Sequence, residues 1–318
     1  MTHPTVMVTG GAGFIGSNLA DALLAEGSRV HIVDDLSNGQ LPRVPPQAEF
    51  HELDIRNAAG LRTIVEAAKP DVIFHMAAQA DVRRALEEPS FDADVNIIGT
   101  LSVLEAARMV GARVVFASTG GAGYGEYEGL TVPSPETSET RPLSHYGMSK
   151  MSGEGYIHMY GRLYGLEGVC LRLSNVYGPR QDPHGEAGVV AIFCGKMLDA
   201  EPPRVFGDGL QTRDYAYVAD VCRAFLAAAA GPAGETVNIG TGREVTVLDL
   251  IDGLGCTVAP QFEPARTGEL QRSCLDPSKA ARLYGWRAEM PLTEGLQATL
   301  ASVASNRANP EARPVGAF

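Results

Sequence analysis

Basic residues are scarce in this chain: 26 Lys and Arg stand against 38 Asp and Glu over 318 residues, a net charge of −12. An acidic surface of this kind repels nucleic acid and anionic membrane, so neither is an expected partner. An anionic ligand would have to be met by a few local arginines. Cysteine is sparse too. Cys170, Cys194, Cys222, Cys256 and Cys274 are odd in number and nowhere spaced Cys-x-x-Cys. That argues against a disulfide framework or a zinc site, so no metal is expected, and it suggests reduced thiols in a cytoplasmic protein. No apolar run is long enough for a membrane span, no signal-peptide pattern precedes the first strand, and there is no internal repeat or low-complexity tract. What remains is an ordinary globular composition, 45% hydrophobic and 20% charged, at a length suited to one large α/β unit or two lobes sharing a core.

Within that composition, apolar runs alternate with helical spacing. Residues 5–10 (TVMVTG), 29–35 (RVHIVDD), 71–78 (DVIFHMAA) and 113–119 (RVVFAST) read as strands, and 17–27, 57–69 and 96–111 as helices. The alternation is the signature of an α/β fold with a Rossmann-type, doubly wound parallel sheet. After about residue 174 Pro and Gly become frequent and the pattern breaks into short mixed elements. The expectation is a dinucleotide-binding domain over 1–174, joined by a strand near 236–240, and a smaller C-terminal ligand lobe over 175–318. The tail NPEARPVGAF is expected to be poorly ordered.

TGGAGFIG (9–16) follows a strand and opens a helix. Gly10 permits a tight turn, Gly13 lets the backbone approach a pyrophosphate, and Gly16 lets helix and strand pack closely. The helix N-terminus attracts the anion. Asp34 lies at the end of the next strand, where a carboxylate accepts from both adenosine ribose hydroxyls and repels a 2′-phosphate. NAD is therefore favoured over NADP. Asp54, after a third strand, suits the adenine amine or a helix N-cap, and both can hold together.

SHYGMSK (144–150) sets Tyr146 one helical turn before Lys150, so both can face one cleft. A free tyrosine, with a pKa near about 10, is a poor base at neutral pH. A neighbouring ammonium favours the phenolate and draws that pKa toward the working range. Ser118 and Thr119, at the end of RVVFAST, offer a hydroxyl to complete the set. Tyr-x-x-x-Lys alone is a common accident. It gains weight here from its place after a nucleotide-binding half.

At this point the chain resembles the extended short-chain dehydrogenase/reductase family, most closely its UDP-glucose 4-epimerase group. TGGAGFIGSNL, DDLSNG, LDIRN, HMAAQADV, VNIIGT, FASTGGAGYGE, YGMSK, LRLSNVYGPRQ, GDGLQTRDYAYVAD, NIGTG and RTGEL carry the resemblance nearly end to end. It implies a tightly held NAD, contacted by Gly10, Gly13, Phe14, Ile15, Gly16, Asp34, Asn38, Asp54, Ile55, Ala77, Ala78, Asn96, Tyr146 and Lys150. Asn96 reads equally as a helix cap. It implies that Thr119, Tyr146 and Lys150 are catalytic and pass the 4-hydroxyl of a UDP-glucose or UDP-galactose type hexose through a transient 4-keto intermediate. Ser118, Thr119, Asn175, Val189, Arg213, Arg266, Glu269 and Ser273 would bind the UDP-sugar. The two arginines would grip the diphosphate, their guanidinium forks supplying local positive charge to an acidic chain. The sequence departs from many epimerases in having Thr119 for Ser and Leu173 for an aromatic. The resemblance also implies a homodimer through helices near 92–110 and 146–164. An NDP-sugar 4,6-dehydratase is the rival on this scaffold, but such relatives carry an Asp-Glu pair where this chain has Gly120 and Gly121. A non-catalytic NAD-binding regulator would not be expected to retain Thr119, Tyr146 and Lys150 together. The small Ser273 leaves UDP-N-acetylhexosamine or UDP-hexuronic acid as alternative substrates.

Overall fold

Seven segments become the strands of one sheet in the computed structural model of the chain, which describes residues 3–183, 188–266, 269–309, 313–314 and 316–317. They are β1 (Thr5–Thr9), β2 (Arg29–Asp34), β3 (Glu49–Glu52), β4 (Val72–His75), β5 (Arg113–Thr119), β6 (Gly168–Leu173) and β7 (Glu235–Ile239). Their order is β7-β6-β5-β4-β1-β2-β3, every neighbouring pair parallel. The chain winds outward from β1 to β3, then crosses to β4 and winds the other way. The point of reversal, between β1 and β4, leaves a crevice at the carboxyl ends of the strands, where ligands of this architecture bind. The strand expected near 236–240 is β7, which docks on β6 and extends the sheet by one place.

The sheet is buried on both faces, as an all-parallel sheet must be. Helices α1 (Phe14–Ala25) and, much later in the chain, Val218–Ala230 cover one face over Val8, Ile32, Phe74, Val115, Leu171 and Val237. Helices α2 (Ala58–Ala68), α3 (Gly99–Val110) and α4 (His145–Tyr164) cover the other over Met7, Val33, Ile73, Phe116 and Cys170. Each fully buried aliphatic side chain contributes roughly 1.5–3 kcal/mol. Local signals fix the helix ends. Asn57 caps α2 by accepting from the Gly60 amide at 3.0 Å. Ser144 caps α4 through the Gly147 amide at 3.1 Å. Gly165, at φ 70°, ends α4.

The helix expected over 96–111 starts later than its apolar pattern suggested. Regular α3 begins at Gly99, after a short helix, Pro89–Ala93, and one wider π turn, Asp94–Ile98. Such turns accommodate an inserted residue and recur at functional sites. Here the turn contains Asn96, whose side chain is fully used inside the protein (below).

At the far edge, His31 Nδ1 and His51 Nε2 are 3.1 Å apart. Their ring centres are 5.4 Å apart and their planes differ by 8°, so the rings lie end to end and share one N–H···N bond. His31 Nε2 is buried without a partner, which places the shared proton on His31 Nδ1.

Beyond residue 174 short strands build the second lobe. Thr212–Arg213 lies between Val245–Thr246 and Arg272–Ser273, and Asn175–Tyr177 pairs with Tyr215–Tyr217. A third cluster, with Tyr177, Phe193, Tyr215, Leu250 and Leu296, fills it. Much of the tail expected to be poorly ordered (310–312, 315 and 318) lies outside the described residues; of the rest, Arg313 bonds Asp21 and the Ala317 amide donates to Asn18 Oδ1 at 2.9 Å. Among the described residues no helix is long and apolar enough to cross a membrane, and all five cysteines are free.

Candidate active site

Gly10, Gly13, Asp34, Asn38, Asp54, Ile55, Ala77 and Ala78 line one cleft at the β1–β4 reversal. Gly10 adopts φ +70°, and a Cβ there would lie 2.7 Å from the Ala77 nitrogen. A Cβ on Gly16 would lie 2.2 Å from the Gly10 oxygen. The loop therefore tolerates no side chain at either point and forms a backbone cradle. Phe14 and Ile15 open α1 and are partly buried against the core. The N-terminus of α1 has no side-chain cap and no acidic residue in its first turn. Its free amides fit a pyrophosphate.

Asp34 is buried, and its carboxylate accepts from the Ala12 and Leu36 amides, each at 2.9 Å. Burial pushes its pKa up while these bonds pull it back. Asp54 is held by Arg56, whose Nε lies 2.9 Å from Oδ2, and the same guanidinium reaches Asp94 at 2.9 Å. That fork holds the Asp54 pKa below the usual range. Because Asn57 caps α2, the N-cap reading of Asp54 is corrected.

Asn96 also differs from expectation, being neither a helix cap nor open to the cleft. Its Oδ1 accepts from the Gln79 amide, and its Nδ2 donates to the Gln79 carbonyl and to Asp92 Oδ1, all at 2.9 Å. Its acceptor and both its donors are spent on clamping the loop that follows Ala77 and Ala78. A second chain of bonds runs behind that loop. The Ala77 amide donates to Thr9 Oγ1 at 3.3 Å, Thr9 meets His75 Nδ1 at 2.8 Å, and His75 Nε2 meets Thr100 Oγ1 at 3.0 Å. Thr100 donates to the Asn96 carbonyl at 2.7 Å. Its hydroxyl proton is thus used, so His75 must donate from Nε2 and accept at Nδ1. Burial, followed by the charge of Lys150, pushes the His75 pKa down to about 3.

Tyr146 and Lys150 stand together on α4. Lys150 Nζ lies 4.7 Å from the centre of the Phe116 ring and 5.9 Å from that of Tyr146. The expectation that Lys150 draws the phenol pKa down is not met. Burial, then Asp92, pushes Tyr146 up to about 12. Burial pushes Lys150 down to about 8, opposed by Asp92. The reason is that both groups share a poorly hydrated site with the Asp92 carboxylate. The resting pair is a neutral phenol beside an ammonium.

Strand alternation separates the two candidate hydroxyls. Thr119 is partly exposed at the end of β5. Ser118 is buried and donates to Glu154 Oε1 at 2.5 Å. Glu154 in turn takes Arg172 through Nε at 2.9 Å and Nη2 at 2.7 Å. Ser118 is therefore corrected from a substrate contact to a member of a buried ion-pair network. Ser118→Ala should cost about 1–2 kcal/mol of stability, read as a lower urea midpoint, with kcat unchanged; a loss of kcat would return Ser118 to the site.

The second lobe meets this loop at Gly120 and Gly121. A Cβ on Gly120 would lie 2.5 Å from Leu275 Cδ2, and one on Gly121 would lie 2.9 Å from Ser273 Oγ. Ser273 pairs in register with Arg213. Arg213 donates to the Thr212 carbonyl at 2.8 Å and lies 3.6 Å from Glu269 Oε1. The Arg266 guanidinium stacks 3.6 Å from the Phe206 ring centre. Thr267 and Gly268, between Arg266 and Glu269, lie outside the described residues. Asn175 opens the strand paired with Tyr215, and Val189 opens the helix Val189–Leu198.

Asp92, Gln79, His75, Glu154 and Arg172 were not anticipated. Two signals were available: a histidine inside an otherwise apolar strand, and an Asp one helical turn before Asn96 in FDADVN.

Comparison with known proteins agrees with this geometry. The profile of the NAD dependent epimerase/dehydratase family matches residues 6–240. A UDP-glucose 4-epimerase of Mycolicibacterium smegmatis is 45% identical over 309 residues, covering 92% of this chain and 96% of that protein. The crystal structure of a Thermotoga maritima UDP-glucose 4-epimerase with UDP-glucose superposes with a TM-score of 0.93 at 44% identity, covering 95% of this chain and 99% of that one. That of a Thermus thermophilus UDP-glucose 4-epimerase with NAD gives 0.88 at 41% identity, covering 94% and 99%. The chain belongs to the NAD dependent epimerase/dehydratase family.

Proposed function

We propose that the protein is an NAD-dependent 4-epimerase of nucleoside-diphosphate hexoses, interconverting UDP-glucose and UDP-galactose. The observation that carries the reading is the pair Gly120 and Gly121 directly after Thr119, packed against Leu275 and Ser273. This loop has no acid to remove water from the sugar, which disfavours the dehydratase, while Tyr146 and Lys150 remain to move the 4-hydroxyl proton.

The glycine cradle and the start of α1 hold the dinucleotide pyrophosphate, and Asp34 accepts from the adenosine ribose. Bound there, NAD supplies a reversible hydride acceptor for sugar carbon 4. Thr119 hydrogen-bonds the 4-oxygen and aligns it with Tyr146. Tyr146 acts as the phenolate, its own proton having passed to solvent and its charge being steadied by the Lys150 ammonium; it takes the hydroxyl proton and becomes the phenol. The 4-keto sugar turns about its phosphate linkage and presents its other face, and Tyr146 returns the proton to the inverted product. Arg213 and Arg266 hold the diphosphate through this turn, with Glu269 on the nucleotide ribose and Asn175 and Val189 beside it. The small Ser273 against Gly121 favours a second reading, in which UDP-N-acetylhexosamine or UDP-hexuronic acid is accepted as well.

The expected oligomer is a homodimer. Ile98, Met109, Met148, Leu163 and Tyr164 are exposed apolar residues near or on the helices that would form its interface. The free thiols agree with a cytoplasmic location. The deciding experiment incubates purified protein with UDP-galactose, without added NAD, and follows the sugar by NMR. UDP-glucose is expected. A 4-keto-6-deoxy sugar would make the protein a dehydratase, and no change across a panel of nucleotide sugars would leave a non-catalytic binder.

A further inference from the structure

We propose that Asp92 is a positioning residue for the proton-transfer pair: its buried carboxylate ties the clamp behind the cofactor loop to the catalytic helix and supplies the counter-charge that keeps Lys150 an ammonium. The inference rests on Tyr146 and Lys150 acting as proposed above.

Asp92 is wholly buried. A carboxylate so placed is held only if its oxygens are satisfied and its charge is answered. The oxygens are satisfied from two directions. Ser149 Oγ donates to Oδ2 at 2.6 Å, from the residue directly before Lys150. Asn96 Nδ2 donates to Oδ1 at 2.9 Å, and Gln79 Nε2 approaches the same atom at 3.4 Å. These donors are neutral. One carboxylate therefore joins α4 to the π turn and, through Asn96, to the loop after Ala77 and Ala78. Neither partner can shift without breaking a short bond to it.

The Ser149 bond sets this carboxylate against the residue next to Lys150, whose proton affinity Asp92 raises against the effect of burial. The other titratable and charged groups named here, on α4 and on elements packed against it, do not replace it. His75 on β4 is neutral, and Tyr146 is a phenol. Arg172 on β6 and Glu154 on α4 neutralise each other, Glu105 on α3 accepts from the Tyr160 hydroxyl, and Tyr124 donates to Asn238. Asp94, on the π turn, is paired with Arg56. Asp92 thus carries the counter-charge on which the state of Lys150 depends.

Asp92→Asn, Ser149→Ala and Tyr146→Phe are assayed side by side with UDP-galactose from about pH 6 to about pH 10. Asp92→Asn should lower kcat about tenfold near neutral pH and move the basic limb of the kcat profile toward acid by about one unit, because Lys150 loses its proton earlier. KM should stay within about twofold, since Asp92 touches no substrate group. Ser149→Ala should lower kcat several-fold with the limb in place. An unmoved limb in Asp92→Asn, or unchanged kcat in Ser149→Ala, overturns the inference. Should Asp92→Asn not fold, the Ser149→Ala result decides. Tyr146→Phe separates the two levels. If it is inactive while Asp92→Asn behaves as wild type, only this inference falls. If it retains turnover, the catalytic reading falls and this inference with it.

Discussion

Tyr146→Phe should bind NAD as the wild type does and lose turnover by roughly 10²–10⁴-fold, the usual contribution of a positioned acid–base group. That loss corresponds to about 3–5 kcal/mol of transition-state stabilisation. The argument is structural as much as chemical. Phe keeps the ring that Lys150 faces at 5.9 Å, so the cleft is not remodelled. It removes only the hydroxyl. Because burial holds that hydroxyl up at about 12, the resting enzyme carries the proton on Tyr146. A neutral phenol suits the half-reaction that delivers a proton to the sugar oxygen. The same group, as the phenolate, must accept that proton in the opposite half-reaction. The measurements are kcat with UDP-galactose and the dinucleotide content of the purified variant. Turnover within about tenfold of wild type, with NAD retained, would remove Tyr146 from the mechanism.

The second large effect concerns acid stability and depends on His75. Its folded pKa, pushed down to about 3, lies well below the ordinary value of 6.5. Between those two values the unfolded chain binds a proton that the folded chain refuses, so stability rises with pH across the window. The contribution is intact above pH 6.5. It is lost at about 1.4 kcal/mol per pH unit as pH falls below that value, to a total of about 5 kcal/mol near pH 3. Buried Asp34 and Asp214, with raised pKa values, act in the opposite direction, while His31 and His158 act in the same one. Comparison with His75→Asn isolates the imidazole. Urea midpoints near neutral pH and about two units lower should fall further in the wild type than in the variant. Equal slopes would show that His75 titrates normally.

The sequence made the sheet and the cofactor loop readable because both rest on local rules. Strands β1, β2, β4 and β5 are short apolar runs, and β5 was bounded to the residue. The glycine spacing of 9–16 has one steric meaning wherever a strand meets a helix. Tyr146 and Lys150 needed only the helical period to share a face. The failures share another cause: they concern which partner a polar group chooses, and that depends on residues far away in sequence. Ser118 and Thr119 looked interchangeable until Glu154, 36 residues later, claimed one of them. Asn96 looked like a cap until Gln79 and Asp92 saturated it. The Tyr146 pKa was argued from Lys150 alone, because neither burial nor Asp92 can be read from a four-residue spacing.

The placement of β7 bears on how the protein is made. The strand that completes the sheet is synthesised about 60 residues after β6, once the first part of the second lobe has been made, and the helix Val218–Ala230, which lies beside α1 on the sheet, also comes after β6. A nascent chain of about 200 residues, emerging at roughly 5–20 residues per second, therefore exposes β6 as an open, apolar edge for some seconds before its partner exists. Closing that edge joins Val169 to Glu235, a pairing of high contact order, and so a slow step. Aggregation during expression should therefore be governed less by the acidic native surface than by this interval, and a chaperone that shields β6 should relieve it.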